Sequence, residues 1–275
     1  MPTSTGKSPP ASSRPGRNST SAGRMMLSER ERERYRRQIL LFGEEGQERL
    51  SEAEIFIAGA GGLGSPVAIY LAVAGVGTLT LVDSDVVDQT NLNRQILHFD
   101  RNIGEKKTAS AEEKLAELNP DITVRAVDAR IDEGNAAGLV GKADGIVDCL
   151  DNYPARYLLN RVSLEKRIPL FHGAIRGMYG QATTLIPGKT PCLSCIFPTP
   201  PPAEIFPVVG VTPGLIGMVQ ATEVLKFLLG RGELLANRLF LWDGLAAQGS
   251  EVCVEKNPRC VVCGDGKGEH RKVRK

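Results

Sequence analysis

A glycine-rich turn directly after a short apolar strand restricts the folds that are open to this chain. The strand ends at Ile57-Ala58, and the run Gly59-Ala60-Gly61-Gly62-Leu63-Gly64 then matches G-x-G-x-x-G. Asp83 closes the next apolar strand, at about the spacing expected for an acid that binds a ribose. Glycines let backbone N–H groups approach a phosphate at the start of a helix, where the dipole favours an anion. The pattern predicts a nucleotide site, although a tight strand-to-helix turn alone also needs some of these glycines.

Apolar strands and helical segments alternate along the chain after this turn. Strands are predicted at 54–58, 78–82, 122–127 and 144–149, and helices at 64–74, 105–118 and 154–167. The alternation predicts an α/β fold with a Rossmann-like, doubly wound, mainly parallel sheet that carries helices on both faces. Farther along, the patterns predict strands at 170–174 and 180–186, a proline-rich connection over 187–213, a helix at 214–229 and strands at 238–243 and 250–255. These strands are expected to extend the sheet in mixed or antiparallel fashion.

The two ends of the chain differ from its middle in composition. Residues 1–24 are rich in Ser, Thr, Pro and Gly and predict a disordered tail, and residues 269–275 form a basic tail. Residues 25–268 are expected to form one folded domain, because a hydrophobic content of 41% suffices for a large core. Ser28 followed by Glu31 is a capping-box pattern, which predicts a short helix before the first strand.

Charge and hydropathy exclude several classes of function. The formal net charge is only +2, and the excess lies in the tails, so no groove for nucleic acid is expected. No stretch reaches the roughly 18 apolar residues of a membrane helix, and the N-terminus lacks the apolar core of a secretion signal. The chain is therefore predicted to be soluble and cytoplasmic, without a membrane partner.

Four of the six cysteines form two closely spaced pairs, Cys192 with Cys195 and Cys260 with Cys263. Four thiolates suit tetrahedral Zn²⁺ and leave no open position for chemistry, so the pattern predicts a structural zinc site. The pairs lie far apart in the sequence, which indicates a clamp between the C-terminus and the proline-rich connection. A redox dithiol, disulfides and an iron–sulfur cluster are the alternatives.

The remaining cysteines, Cys149 and Cys253, lie in apolar strands. A small buried hydrophobic side chain is the simplest explanation for each of them.

Polar residues near the strand ends favour a triphosphate over a dinucleotide. Asn91 and Arg94 follow soon after Asp83, Lys107 opens a helix, and Asp151 comes just after the fourth strand. Cations together with a strand-end carboxylate suit ATP with Mg²⁺. An NAD(P)-dependent oxidoreductase shares the glycine pattern and the acid, but it does not explain the other residues. That alternative also lacks an evident substrate domain with a proton-relay pair.

With these motifs and several others, the chain resembles the MoeB/ThiF/HesA family of adenylyltransferases, which are related to ubiquitin-activating enzymes. The family's R-Y-x-R-Q-I run occurs as Arg34-Tyr35-Arg36-Arg37-Gln38-Ile39, and its D-N-x-x-x-R motif runs from Asp151 and Asn152 to Arg156. The G-x-G-G-L-G loop, the N-L-x-R-Q segment and both cysteine pairs complete the resemblance, which spans residues 27 to 264.

The resemblance implies a reaction and a partner. The reaction is ATP-dependent adenylation of the C-terminal glycine carboxylate of a small ubiquitin-like sulfur-carrier protein that ends in Gly-Gly, with release of pyrophosphate. The pathway would supply sulfur to molybdenum or tungsten cofactor, to thiamine or to another sulfur-containing product.

The resemblance also assigns roles by position. It implies that the glycine loop and Asn152 line the nucleotide site, that Asp83 binds the ribose and that Asp151 holds Mg²⁺. The phosphate chain would be bound by Asn91, Arg94 and Lys107. Arg37 resembles an arginine that such enzymes insert into the neighbouring subunit's active site, which implies a homodimer. The implied catalytic set is Asp151, Arg94, Lys107 and Arg37.

Each implied role has a simpler alternative. Arg94 and Lys107 can be solvated charges on a helix, Asp151 can cap the helix that follows it, and Asn91 can serve only its turn. Arg37 can be one of several exposed arginines. For the whole chain, an alternative is a non-catalytic, zinc-stabilised scaffold that binds a nucleotide or a carrier protein.

One feature of the family is missing from this chain. Many relatives carry a cysteine in the crossover segment, where a persulfide or thioester forms, but residues 196–217 contain none. We therefore expect the enzyme to stop at the acyl-adenylate and to pass it to a separate sulfur donor. Cys253 is the remaining candidate for a substitute nucleophile.

Overall fold

The computed structural model describes residues 26–200 and 207–264 of the chain. The predicted tails at 1–24 and 269–275, and part of the proline-rich connection, lie outside these residues. The helices are α1 (Glu29–Arg34), α2 (Arg36–Ser51), α3 (Gly64–Val73), α4 (Lys107–Leu118), α5 (Ala136–Val140), α6 (Tyr153–Lys166), α7 (Leu193–Ile196) and α8 (Val211–Leu229). The strands are β1 (Glu54–Ala58), β2 (Thr78–Asp83), β3 (Thr123–Asp128), β4 (Gly145–Asp148), β5 (Leu170–Arg176), β6 (Tyr179–Leu185), β7 (Arg238–Asp243) and β8 (Gln248–Cys253).

The described strands form one eight-stranded sheet in the order β3-β2-β1-β4-β5-β6-β7-β8. The first five strands in this order pair in parallel. The last three join the sheet by antiparallel pairing. The predicted Rossmann-like sheet with an antiparallel extension is confirmed.

Helices cover both faces of the sheet. Successive side chains of a strand point to opposite faces, so the buried strands contribute apolar side chains to a core on each side. Ile55 and Ile57 of β1 belong to the core beneath α3, α4 and α8. Phe56 and Ala58, which alternate with them, belong to a second core beneath α5 and α6. A central strand of this kind is apolar on both sides, as is typical of parallel sheets.

Most predicted elements occur with ends shifted by no more than three residues. Two helices were not predicted, α5 and α7. Both are too short, at five and four residues, for an apolar period of 3.6 residues to show. Helix α7 also interrupts the segment that was predicted to be a proline-rich connection.

The N-terminal helical region is longer than predicted. The capping box is present, because Ser28 Oγ accepts from the Glu31 N–H at 3.2 Å and the Glu31 carboxylate accepts from the Ser28 N–H at 2.8 Å. Beyond Tyr35 the chain continues as α2, which is kinked at Gly43 with φ of 77°. The apolar run after Arg37 is therefore helical. In the described part of the chain, no helix combines the length and the apolar character needed to cross a bilayer.

We expect Gly77→Ala to destabilise the fold. A Cβ atom at Gly77 would lie 1.7 Å from the Ser51 carbonyl oxygen, so the turn before β2 would have to shift. The expected loss in the free energy of unfolding is about 1–3 kcal/mol, measured by urea denaturation. Gly214→Ala in α8 is the matched control, since the structure leaves open space there, and it should be neutral or slightly stabilising. Equal effects of the two substitutions would contradict this explanation.

Candidate functional site

The glycine loop between β1 and α3 is held by backbone contacts that exclude side chains. Gly59 has φ of 97°, and a Cβ atom there would lie 2.9 Å from the Cys149 carbonyl oxygen. A Cβ atom at Gly64 would lie 1.9 Å from the Gly59 carbonyl oxygen. Helix α3 begins at Gly64, so the positive end of its dipole lies at the loop. The loop therefore has the form of an anion-binding turn.

The sheet order places this loop at a topological switch point. β1 lies between β2 and β4, and the chain runs from β1 to β2 and β3 on one side before it crosses from β3 to β4 on the other side. In open parallel sheets, such a crevice at the carboxyl ends of the strands is where ligands bind. The segments after β2 and β4 therefore flank the loop.

Asp83 at the end of β2 is tied directly to the glycine loop. Its Oδ2 accepts from the Ala60 N–H at 2.8 Å, and its Oδ1 accepts from the Asp85 N–H at 2.8 Å. Each carboxylate oxygen can still accept a further hydrogen bond. Asp83 is therefore fixed in orientation and keeps the capacity to bind hydroxyl groups.

The two predicted phosphate-binding cations are ordered side chains. Lys107 is the first residue of α4 and is only 5% exposed, and its Nζ lies 2.9 Å from an oxygen of Asp85. Arg94 donates to the Thr90 carbonyl at 2.8 Å and to Asn93 Oδ1 at 2.9 Å. Its Cγ lies 3.5 Å from where a Cβ atom of Gly62 would be. Arg94 thus lies against the glycine loop, and Lys107 is not a solvated helix charge.

Two asparagines use their side-chain oxygens in turns. Asn91 Oδ1 accepts from the Asp88 N–H at 3.2 Å. Asn152 Oδ1 accepts from the Ala155 N–H at 3.1 Å and caps α6. The helix cap is thus Asn152 and not Asp151, which is exposed. The amide nitrogens of both asparagines remain as donors.

Asp151 and Arg37 complete the placement of the predicted residues. Asp148 ends β4 but is fully buried and accepts from His172 Nδ1 at 2.7 Å, so Asp151 is the accessible carboxylate after this strand. Arg37 is exposed on α2. No hydrogen bond or ion pair between described residues brings Arg37 to the glycine loop.

Sequence reasoning missed a buried histidine behind the loop. His98 is 3% exposed, and its Nε2 lies 3.0 Å from the Ala60 carbonyl oxygen, with Nδ1 2.9 Å from Ser110 Oγ. Because a carbonyl only accepts, Nε2 carries the proton and donates. Burial lowers the pKa of His98, which favours the neutral ring. A single polar residue in a loop gives no sequence signal for such a role.

Two buried polar atoms near the loop have no hydrogen-bond partner among the described residues. Gln95 is 4% exposed and its Oε1 has no hydrogen bond, while its Nε2 lies 3.6 Å from where a Cβ atom of Gly61 would be. Ser65 Oγ, at the start of α3, is also unpartnered. Unpaired buried polar atoms are rare in folded proteins. Their position fits a site that binds a polar ligand.

The four paired cysteines meet in space. Their Sγ atoms all lie within 4.8 Å of one another. The pairs Cys192–Cys195, Cys192–Cys260 and Cys195–Cys263 are separated by 3.9, 3.7 and 3.4 Å. Tetrahedral Zn–S bonds of about 2.3 Å would place the sulfurs about 3.8 Å apart, so the cluster fits Zn²⁺. All six cysteines are free thiols, which does not support the disulfide alternative.

The cysteine cluster brings together the two segments that the clamp prediction named, the proline-rich connection and the C-terminal part of the chain. Cys192 precedes α7, and the Leu193 N–H donates to Asn160 Oδ1 of α6 at 2.9 Å. Cys260 and Cys263 lie in the loop after β8. A metal at this point would tie the C-terminal loop to α7 and, through Asn160, to α6.

The two remaining cysteines differ from each other. Cys149 is buried, as predicted, and burial raises the pKa of its thiol. Cys253 is exposed, so the prediction of a buried side chain was wrong there. β8 is one of the two edge strands of the sheet, and both of its faces are accessible to solvent. It lies four strands from β4, roughly 19 Å at the usual strand spacing. The strand register places Gln248, at the start of β8, level with the carboxyl end of β5, and Cys253 lies at the opposite end of β8. Cys253 is therefore far from the edge at which the parallel strands end, which disfavours a role as nucleophile.

We expect purified protein to hold one zinc ion per chain, and Cys192→Ser to release it. Since metal binding at such a site stabilises the folded state, the variant should lose about 5–10 °C in Tm. Metal analysis and thermal unfolding measure the two effects. Cys253→Ser is the matched control and should retain both zinc and Tm. Full zinc content in Cys192→Ser would exclude a four-thiolate site.

Comparison with known proteins gives relatives along nearly the whole described chain. The SAMP-activating enzyme E1 of Haloferax volcanii is 46% identical over 242 residues, which cover 85% of this chain and 89% of that protein. The sulfur carrier protein adenylyltransferase of Thermus thermophilus is 42% identical over 254 residues, covering 88% and 94%. An adenylyltransferase and sulfurtransferase of Zea mays, MOCS3-1, is 42% identical, and the match covers 84% of this chain and 52% of that protein.

Solved structures and a family model agree with these relatives. The structure of E. coli MccB matches with a TM-score of 0.78 at 22% identity, covering 91% of this chain and 77% of that one, and so supports the fold. The ThiF family model matches residues 35–262. The chain therefore belongs to the ThiF family, as its motifs predicted.

Proposed function

We propose that this protein uses ATP to adenylate the C-terminal glycine carboxylate of a small ubiquitin-like sulfur-carrier protein. One observation carries the proposal: the glycine loop, Asp83, Arg94 and the segment leading to Asp151 meet at one edge of the sheet. Lys107 is linked to this group through Asp85. The relatives named as an adenylyltransferase and as an E1 support this class of reaction.

The residues at the switch point would act by positioning and by neutralising charge. The glycine loop and the start of α3 would bind the phosphates, and Asp83 would accept hydrogen bonds from the ribose. Arg94 and Lys107 would stabilise negative charge on the phosphate chain. A carboxylate oxygen of the carrier attacks the α-phosphorus, the bond from that phosphorus to the oxygen bridging the β-phosphate breaks, and pyrophosphate leaves. No general base is needed, because a carboxylate is already ionised at neutral pH.

Asp151 is the proposed Mg²⁺ ligand, and Asn152 lies beside it. Asp151 is exposed and immediately follows the end of β4, whereas Asp148 is occupied by His172. When bound, Mg²⁺ neutralises phosphate charge as pyrophosphate leaves. We also propose Zn²⁺ in the cysteine cluster, where it would stabilise structure only.

A separate sulfur donor is proposed for the step after adenylation. The described residues place no cysteine at the carboxyl edge apart from Cys149, whose thiol is buried and has a raised pKa. Cys253 lies at the other end of its strand. The acyl-adenylate would therefore react with sulfur from another protein, in a pathway for molybdenum or tungsten cofactor, thiamine or a similar product. A cytoplasmic location stays a prediction from the sequence.

ATP–pyrophosphate exchange with zinc-replete protein tests the reaction directly. We expect exchange only when a carrier ending in Gly-Gly is present, and none when the same carrier lacks these two residues, because the attacking carboxylate is then displaced. Binding of ATP without exchange for any carrier encoded by the same genome would favour the scaffold alternative. Reduction of a nicotinamide cofactor would favour the oxidoreductase.

Asp151→Asn should lower the exchange rate about 100-fold or more, because the neutral amide no longer balances the charge of the metal. Glu165→Gln is the matched control, since Glu165 is exposed on α6 beyond the site. It should keep the wild-type rate. An unchanged rate in Asp151→Asn would contradict the proposed metal ligand.

A homodimer is the proposed assembly, with Arg37 entering the partner's active site. Arg37 is exposed and lies on a helix that also presents Leu40 and Leu41 to solvent, with 79% and 75% of their surface accessible. Adjacent exposed apolar side chains of this size are typical of an interface. A guanidinium supplied in this way would add positive charge near the departing pyrophosphate.

Mixing Arg37→Ala with Asp151→Asn tests this arrangement, because we expect each variant to be nearly inactive by itself. If Arg37 acts across the interface, Arg37→Ala and Asp151→Asn subunits that exchange freely should recover about a quarter of wild-type exchange activity, because half of the dimers then contain one intact site. Arg36→Ala is the control and should be active without mixing. No recovery from mixed subunits that are shown to form dimers would contradict action across the interface.

A further inference from the structure

A buried group of ionisable side chains lies beneath the junction of β4 and α6, and the proposed reaction leaves it without a role. Asp148 and His172 are fully buried, and Arg156 of α6 is 4% exposed. His172 Nδ1 lies 2.7 Å from Asp148 Oδ2, and Arg156 Nε lies 3.7 Å from Asp148 Oδ1. The other ring nitrogen of His172 lies 3.5 Å from Gln181 Nε2, which can donate to it.

The charges in this group are one carboxylate and one guanidinium. Burial by itself raises the pKa of Asp148, but Arg156 and His172 more than offset this effect and hold the pKa below its ordinary value. Burial lowers the pKa of His172, so the ring is neutral and donates from Nδ1. An ion pair of this kind gains little net stability, since removing both charges from water is costly. Stability alone therefore does not explain its presence.

The group holds both backbone polar atoms of Leu150. The Leu150 N–H donates to Asp148 Oδ1 at 3.2 Å. The Leu150 carbonyl accepts from two nitrogens of Arg156, from Nε at 3.2 Å and from Nη2 at closer range. Arg156 Nη2 also donates to the Gly173 carbonyl of β5 at 3.1 Å. The guanidinium thus joins the β4–α6 junction to the neighbouring strand.

This carbonyl belongs to the peptide bond between Leu150 and Asp151. On its other side, Asp151 is followed by Asn152, whose side chain caps α6. The backbone of Asp151 is therefore held at both ends, while its side chain is exposed. Metal ligands that are oriented by surrounding hydrogen bonds bind more tightly than free ones, because less ordering is needed on binding.

We propose that Arg156 is a positioning residue for Asp151, acting through its hydrogen bonds to the Leu150 carbonyl. The inference rests on the proposed function in one respect, namely that Asp151 binds the metal that accompanies ATP. Arg156 would act without touching substrate or metal, because its guanidinium is buried and donates to backbone carbonyls. Its effect is to fix the peptide that carries the metal-binding carboxylate against β5.

Arg156→Lys is the test variant, because it keeps the positive charge beside Asp148 but cannot form the branched contacts to Leu150 and Gly173. Arg161→Lys is the matched control on the same helix, where an exposed arginine pairs with Glu133. The first readout is Mn²⁺ binding, by electron paramagnetic resonance, to zinc-replete protein with an ATP analogue that cannot be cleaved between the α- and β-phosphates. The second is the Mg²⁺ concentration that gives half-maximal pyrophosphate exchange.

We expect Arg156→Lys to weaken Mn²⁺ binding and to raise the Mg²⁺ requirement by about 10- to 100-fold, with binding of the metal-free analogue unchanged. Arg161→Lys should match the wild type. In the Asp151→Asn background, Arg156→Lys should have no further effect on Mn²⁺ binding, because the side chain through which it acts is absent. If Arg156→Lys does not fold, the double variant Asp148→Asn/Arg156→Gln removes both charges together and has the same expected result.

Two outcomes would overturn the inference, and they differ from failure of the proposed function. Wild-type Mn²⁺ affinity in a folded Arg156→Lys protein excludes positioning, provided that Asp151→Asn weakens binding. If the losses in the free energy of Mn²⁺ binding caused by Arg156→Lys and by Asp151→Asn are additive in the double variant, Arg156 does not act through Asp151. If Asp151→Asn itself leaves Mn²⁺ binding and exchange unchanged, the assigned metal ligand is wrong and the inference falls with it.

Discussion

The close contact between the ends of β1 and β4 determines how the rest of the site is built. The Gly59 backbone packs against the Cys149 carbonyl, and the Gly64 backbone packs against that of Gly59, at distances that leave no room for a Cβ atom. Because these glycine positions leave no room for side chains, a ligand at this point would contact the backbone of the loop and side chains from the flanking segments. Asp83 from β2 and the segment after β4 supply those side chains on either side.

Buried polar groups then stiffen the backbone that this contact brings together. His98 donates to the Ala60 carbonyl behind the glycine loop, and Arg156 donates to the Leu150 carbonyl behind the other flank. In each case, a side chain from another part of the chain fixes a backbone carbonyl that lies next to a residue of the proposed site. Burial makes such hydrogen bonds costly to break, since the freed groups cannot reach water. A site that depends on positioning rather than on proton transfer benefits directly from this rigidity.

Helix α6 connects the nucleotide edge to the cysteine cluster. Its N-terminal end carries the Asn152 cap and Arg156, and one of its later turns carries Asn160, which binds the backbone at α7. Tyr157 between them donates to the Phe197 carbonyl at 2.6 Å. The proposed zinc site would therefore hold the same helix that begins just after Asp151 and its neighbour Asn152. Through this link, a metal in the cysteine cluster would influence the order of the site without taking part in the reaction.

Local patterns in the sequence were enough to predict the elements that depend on neighbouring residues. The glycine loop, the alternating strands and helices, the strand-end Asp83 and the pairing of Cys192 with Cys195 all involve residues within a few positions of one another. The pairing of Asp148 with His172, 24 residues away, and the exposure of Cys253 on an edge strand became evident only from the three-dimensional fold. Local periodicity reports which residues face the core, but not which distant partner a buried polar group meets there. That choice depends on sheet order and register, because these bring together side chains from strands and helices that are far apart in the chain.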